Sequence, residues 1–271
     1  MKRMTNQEIR EIIFSMLLKL AEYCDKKGLR YYLCAGTLLG AVRHRDFIPW
    51  DDDVDIFMPR PDYMRLHSLL KEEYIETYYQ LRSNIMGNSV IPFAKIVDTR
   101  TVAVTKFNNL DNVLWIDIFP LDGAPSDEKQ CRKLLEKAKR WRSLFSYSAA
   151  NFGTGITKWK ATAKLPLLLI AHMVGCEKCA EKLSKIANTY KFDESDYIAE
   201  IVWTVGKQDR LKKSEYLEYV DLEFHGHMFH APACWDRYLQ NIYGDYMKLP
   251  QKSKRYSHCI EAYWRGGTYG K

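Results

Sequence analysis

Thr5-Asn6-Gln7-Glu8 opens the first periodic stretch with a hydroxyl followed three residues later by a carboxylate, the pattern of a capping box. Apolar residues then recur at Ile9, Ile12, Ile13, Met16, Leu17 and Leu20, the spacing of one helix face, and Gly28 predicts its stop. Residues 30–35, RYYLCA, read as a strand that Gly36-Thr37 breaks, with a helix restarting over 38–44 and ending before Pro49. Residues 54–58 read as a buried strand. Pro61 suits a first helical turn, and the helix continues over 63–73. Further strands are predicted at 75–81, 90–97, 101–105 and 113–119, and PLDGAPSD at 120–127 reads as a loop. Beyond it the character changes. Residues 127–192 are rich in Lys, Arg, Ala and Leu and read as helices; a late strand follows at 197–205 and a helix at 231–243, stopped by Gly244. No internal repeat interrupts this order.

The pattern predicts an α+β protein: a mixed β-sheet core flanked by helices over 1–125, and a mostly helical region over 126–271 packed on it as one unit. The chain's 271 residues, 46% of them hydrophobic, are enough to bury such a core. A net charge of +7 suits a phosphate-bearing substrate or an anionic membrane surface, and does not of itself indicate nucleic acid. The start of the chain carries no signal-peptide pattern. The longest apolar run, at 165–175, is too short to span a bilayer. Lys158, Lys160 and Lys164 precede that run, as they would in an interfacial helix or in a core helix with a basic end. Seven scattered cysteines indicate a reducing, cytoplasmic setting, and the pair Cys176 and Cys179 lacks the second pair that a zinc site needs.

The chemistry concentrates in IPWDDDVDIFMPR, residues 48–60, where Asp51, Asp52, Asp53 and Asp55 crowd together. An acidic run in a loop is ordinarily a solvated surface. That fits Asp51 and Asp52, but not Asp55, which is flanked by Val54, Ile56 and Phe57. On a strand, Asp53 and Asp55 share one face and can jointly hold hard cations; Asp51 joins them if the strand extends that far, and Asp52 points away. Asp117, alone among Trp115, Ile116, Ile118 and Phe119, makes sense if its strand lies beside the first and completes the site. Gly36-Thr37, at a strand-to-helix turn, offers backbone N–H groups to a phosphate. An EF-hand loop begun at Asp51 fails, because Ile56 stands where glycine is needed and Asp62 where glutamate is needed. A prenyl-diphosphate DDxxD site would need a helix that DVDIFM opens poorly. A Gly-Thr turn, Asp-x-Asp on a strand and one Asp on a later strand is the pattern of the nucleotidyltransferase fold. Its metals clamp the phosphoryl group under attack, while the third carboxylate orients or deprotonates the attacking hydroxyl.

CAGTLLGAVRHRDFIPWDDDVDIFMPRPDY (34–63) closely resembles the signature of the LicD family, bacterial phosphocholine transferases with fukutin-related protein as a distant relative. WIDIFPLDG (115–123) resembles the family's second motif, and YGDYMKLP (243–250) with His258 its C-terminal one. The resemblance implies transfer of phosphocholine from CDP-choline to a sugar hydroxyl of a teichoic-acid or lipopolysaccharide-type precursor, with release of CMP. It implies Mg²⁺, with Mn²⁺ as an alternative, on Asp53, Asp55 and Asp117 with Asp51 in support, and Asp117 as general base. Gly36 and Thr37 would contact the diphosphate. Arg43, His44, Arg60 and Lys95 would neutralise phosphate charge, and His258 has a catalytic or a structural role. Trp50, Trp115, Trp203, Trp235 and Tyr243 are candidates to hold choline, which offers no ordinary hydrogen bond and is recognised by aromatic faces. The acceptor would be lipid-linked, with peripheral contact at the inner face of the cell membrane. The same pattern leaves three alternatives open: a CDP-glycerol or CDP-ribitol donor, a nucleotidyltransferase proper that leaves the nucleotide on its acceptor, and a non-catalytic binding module.

Overall fold

The computed structural model describes residues 2–104, 110, 112–150, 165–203, 210–255, 257 and 259–265. His258, Lys158, Lys160 and Lys164 lie outside these residues. Helix α1 (Asn6–Lys27) starts as expected: Glu8 N–H donates to Thr5 Oγ1 at 3.2 Å, and Thr5 N–H donates back to the Glu8 carboxylate at 2.7 Å. Gly28 ends it in the left-handed conformation that glycine adopts without strain (φ 61°). A short β1 (Tyr32–Leu33) leads into α2 (Ala35–His44), which begins a turn earlier than the spacing predicts, so Gly36 and Thr37 fall inside the helix. The turn is held from outside by the hydroxyl of Tyr238, which accepts from Ala35 N–H at 3.2 Å. Then follow β2 (Asp55–Pro59), α3 (Arg60–Leu69), β3 (Tyr79–Arg82), β4 (Ala94–Asp98), β5 (Thr101–Val104) and β6 (Leu114–Ala124).

The main sheet runs β1-β2-β6-β4-β3, with β2 and β6 parallel and the other neighbours antiparallel. It continues through β7 (Tyr197–Glu200) and β8 (Leu211–Lys212), so chain beyond residue 125 rejoins the core sheet. Between β6 and β7 run α4 (Glu128–Ala149), α5 (Leu165–Val174) and α6 (Cys176–Ala187), the helical stretch expected from composition. After β8 come α7 (Lys213–Leu217), the hairpin β9 (Tyr219–Phe224) and β10 (His227–Pro232), α8 (Trp235–Tyr243) and β11 (Glu261–Trp264), which pairs with β5. This is the α+β architecture of a mixed sheet flanked by helices.

Two elements depart from the sequence reading. Strand β6 runs 11 residues and takes in Pro120 to Ala124, read above as loop. Each turn-forming residue there has a packing reason instead. Pro120 pairs with Met58 of β2, just past the end of the β4 pairing and just before β7 joins, so its missing N–H breaks no ladder. Asp122 is buried against Arg60. A side chain on Gly123 would come within 2.5 Å of Ser195 Oγ and 2.6 Å of Lys191 O, where the 190–195 turn crosses the strand. The second departure is the β9–β10 hairpin, which occupies part of the expected 231–243 helix; α8 starts only at Trp235. The hairpin turns on His225 and Gly226, both at positive φ (50° and 78°).

His67 of α3 shows how tightly this core excludes water. It is 2% exposed. Its Nδ1–H donates to Tyr63 O at 2.7 Å and its Nε2 accepts from Ser83 Oγ at 2.9 Å, which leaves no place for a second proton. Burial pushes its pKa down from 6.5 to about 4. The unfolded chain therefore binds this proton where the folded one does not. His67 costs nothing above pH 6.5 and removes on the order of 3 kcal/mol as pH falls from 6.5 to about 4. Urea unfolding at pH 7.5 and pH 5 should show that loss, and His67→Gln should flatten the slope; an unchanged slope would rule His67 out as its source.

Candidate active site

Strands β2 and β6 are buried along their whole length except at one position each, and those positions are Asp55 and Asp117. The parallel register places these two residues side by side. The junction is closed by backbone bonds: Asp117 N–H donates to Val54 O at 2.9 Å, and Asp55 N–H donates to Thr37 Oγ1 at 2.8 Å. On the other side of Asp117 the antiparallel register brings Lys95 of β4 opposite. Lys95 Nζ lies 3.0 Å from Asp117 Oδ1 and 4.3 Å from the centre of the Trp115 ring, whose Nε1–H donates to Asp117 Oδ2 at 3.2 Å. The lysine contact is an ion pair without hydrogen-bond direction, because Oδ1 is buried and has no hydrogen-bond donor among the described residues.

Asp51 and Asp53 precede β2, on the segment that leads into it. Burial first, then the charges of Asp53, Asp117 and Asp51, hold the Asp55 carboxyl well above its ordinary pKa, with Lys95 opposing them. Four carboxylates therefore share one field, with Asp117 where strand pairing was expected to bring it and Asp53 just ahead of the strand rather than on it. Asp52 does face away: its Oδ2 accepts from Ser257 Oγ at 2.9 Å and from Ile260 N–H at 3.2 Å. The segment flanking His258 is thus anchored one residue from the cluster, although His258 itself lies outside the described residues.

The helix start lies against an acidic side chain of the cluster. A side chain on Gly36 would come within 2.6 Å of Asp51 Oδ2, so it is Asp51 that lies against the first turn of α2. Thr37 is 4% exposed and its hydroxyl ties α2 to β2. Arg60 is not at the cluster. Its guanidinium forms a two-pronged bond with Asp122, at 2.6 and 2.8 Å, at the far end of β2. Arg43 donates from Nη1 to Tyr246 O at 2.7 Å and from Nε to His44 Nε2 at 3.0 Å. Burial and the Arg43 charge lower the His44 pKa, so His44 supplies a neutral acceptor rather than a cation.

Several participants carried no clear local signal. Arg10 of α1 reaches across to the carbonyls of Ile48, Pro49 and Asp51 at 3.3, 2.9 and 2.8 Å and fixes the approach to the cluster. Arg255 stacks on Trp50, 4.2 Å from its centre, with Arg43 at 6.0 Å, which makes a basic group beside the acidic one. Tyr243, the last residue of α8, is raised in pKa first by burial and then by Asp55, Cys34, Asp51 and Asp53. The residue keeps 41% of its surface exposed. Beside it a cavity of about 450 Å³ is lined by Gln240, Gly244, Asp245, Tyr246 and Met247. Only the basic run near Arg255 and the YGDY motif could have pointed to these positions.

The donors suit a hard divalent cation. All are carboxylate oxygens, one of them a buried oxygen that lacks a hydrogen bond, and their mutual repulsion is what a cation would relieve. Among the described residues, no three His, Cys, Asp or Glu side chains stand close enough to form a complete cage.

A parallel pair of carboxylate-bearing strands, an acidic approach loop and a helix start behind it define a nucleotidyltransferase-like transferase. The LicD/FKTN/FKRP nucleotidyltransferase domain matches residues 28–148. The lipopolysaccharide cholinephosphotransferase LicD of Haemophilus influenzae is 31% identical over 267 residues, 97% of this chain and 99% of that protein. An uncharacterized protein of Rickettsia prowazekii is 37% identical over 60 residues, 22% of this chain and 23% of its own. The ribitol 5-phosphate transferase FKRP of Homo sapiens is 66% identical over 32 residues, 12% of this chain and 6% of its own. The chain belongs to the LicD family.

Proposed function

We propose that this protein transfers phosphocholine from CDP-choline to a hydroxyl of a cell-surface glycan precursor of the lipopolysaccharide or teichoic-acid type, releasing CMP. The observation that carries this reading is the Asp55–Asp117 register beside Asp51 and Asp53, in a chain that aligns end to end with a cholinephosphotransferase. Mg²⁺ or Mn²⁺ on Asp53, Asp55 and Asp117, with Asp51 in support, would neutralise the phosphate oxygens and the leaving CMP. The acceptor oxygen attacks the choline-bearing phosphorus, the bridging P–O bond breaks toward CMP, and the hydroxyl proton passes to the Asp117 carboxylate. Lys95 holds that carboxylate in place, and the Trp115 indole fixes its other oxygen. Arg43 and Arg255, gathered at Trp50, face the remaining phosphate charge. Tyr243 offers an aromatic face to the quaternary ammonium. The acceptor is read as lipid-linked, and the enzyme as cytoplasmic at the inner membrane face.

The short stretch shared with FKRP supports a second reading, a CDP-ribitol or CDP-glycerol donor. Thermal unfolding with CDP-choline, CDP-ribitol and CDP-glycerol, each with and without Mg²⁺, separates the two. Only CDP-choline with Mg²⁺ is expected to raise the midpoint, by RT ln(1 + [L]/Kd) in free energy. A larger rise with a polyol donor would overturn the choline assignment. Nucleotide retained on the acceptor instead of released CMP would overturn the reaction class.

A further inference from the structure

The charge of this chain is unevenly placed. Residues 128–187, which contain α4, α5 and α6, carry 13 Lys and Arg against four Glu and no Asp, a net +9. The remaining residues carry 28 basic and 30 acidic side chains and are slightly negative. The positive charge of the whole protein therefore belongs to one helical unit. On α4, Arg132, Lys133, Lys137 and Lys139 are exposed, and on α6 Lys182 and Lys185.

In the middle of this unit lies its most apolar helix. Helix α5 buries Ala171 completely and packs Val174 on the core, so one side is accounted for. Leu169, Ile170 and Met173 stand on the other side, at the i, i+1 and i+4 positions of one face, and are 52, 55 and 87% exposed. A core helix with a basic end, one of the two readings open from sequence, does not leave three such side chains in water. At ten residues α5 cannot cross a bilayer, and among the described residues no helix is long and apolar enough to do so. A second copy of this chain would bring its own +9 against this one, which disfavours self-association through this face. An apolar strip on a helix packed against α4 and α6, both of which expose basic side chains, matches the interface of an anionic bilayer, where apolar side chains enter the headgroup boundary and lysines meet the lipid phosphates.

We propose that α5 is a membrane-docking element: Leu169, Ile170 and Met173 insert into an anionic lipid surface while the basic side chains of α4 and α6 lie over its headgroups. The proposal concerns where the enzyme sits and is independent of which donor it uses. The test is co-sedimentation of the full chain with vesicles of phosphatidylcholine alone and of phosphatidylcholine with phosphatidylglycerol, at low and high salt. Binding is expected on the anionic vesicles only and to weaken at high salt. The double change Ile170→Glu and Met173→Glu should lower partitioning about tenfold or more, with an unchanged unfolding midpoint. Equal binding of wild type and variant, or no binding of wild type to anionic vesicles, would overturn the proposal. A lipid-free dimer in sedimentation velocity that the variant abolishes would overturn it too, by assigning the face to a second copy.

Discussion

Asp55→Asn should abolish transfer and at the same time stabilise the protein in metal-free buffer. The loss expected is about 10²–10³-fold in kcat, the scale on which removing one group that stabilises developing charge is felt. The gain in stability follows from the field around Asp55. Burial and the charges of Asp53, Asp117 and Asp51 raise its carboxyl pKa, so the folded chain holds that proton more tightly than the unfolded chain. Its contribution to stability therefore falls as pH rises from the unfolded value through the folded one. Asparagine removes that penalty. Melting curves at neutral and acidic pH should show a variant more stable than wild type at neutral pH, by a margin that shrinks on acidification. Asp53→Asn should share the loss of activity with a smaller effect on stability. An active Asp55→Asn enzyme would remove this carboxylate from the chemistry.

The second large effect is structural. Asp122→Ala strips the partner from Arg60, whose side chain is 13% exposed and bonded to both carboxylate oxygens. Burial raises the Asp122 carboxyl pKa despite the guanidinium beside it, whereas the same carboxylate raises the Arg60 pKa despite its burial, so desolvation and attraction nearly offset across the pair. Breaking such a pair leaves an uncompensated buried charge and costs about 3–5 kcal/mol, whereas replacing both partners with apolar residues of similar volume is close to neutral. Urea denaturation of Asp122→Ala and of Asp122→Leu with Arg60→Met should therefore rank the double variant as the more stable. The reverse order would mean that the pair itself supplies the stability.

These two aspartates also show what a sequence carries and what it does not. Asp53, Asp55 and Asp117 were legible because each stands in or beside an apolar strand, where a carboxylate needs a local reason. Strand alternation supplied the face, and it separated Asp52 correctly. Asp122 has an equally strong reason, but it sits in PLDG, where turn chemistry explains an aspartate and a glycine just as well. Only the Arg60 contact and the turn crossing at Gly123 decide between the two. The hairpin of β9 and β10 was missed for a related reason: its strands alternate weakly because β9 is largely exposed, and His-Gly is not a usual turn pair. Lys95 was read as a phosphate ligand, and its place beside Asp117 comes from strand pairing alone. Arg10, Tyr243 and the grip of Asp52 on residues 257–260 join positions far apart in the chain, where no local pattern points from one to the other.

The register of β2 on β6 has a mechanical meaning. Asp55 and Asp117 hang from adjacent strands whose spacing, about 4.8 Å, is set by the backbone lattice and is stiff. Asp51 and Asp53 hang from a segment outside any strand, steadied at Ile48, Pro49 and Asp51 by Arg10 and at Asp52 by Ser257 and Ile260. The site is thus a fixed jaw facing a compliant one. Whatever change in span accompanies the passage from diphosphate to products must be taken up on the Asp51–Asp53 side, and Arg10 together with the Asp52 anchor stiffens that jaw.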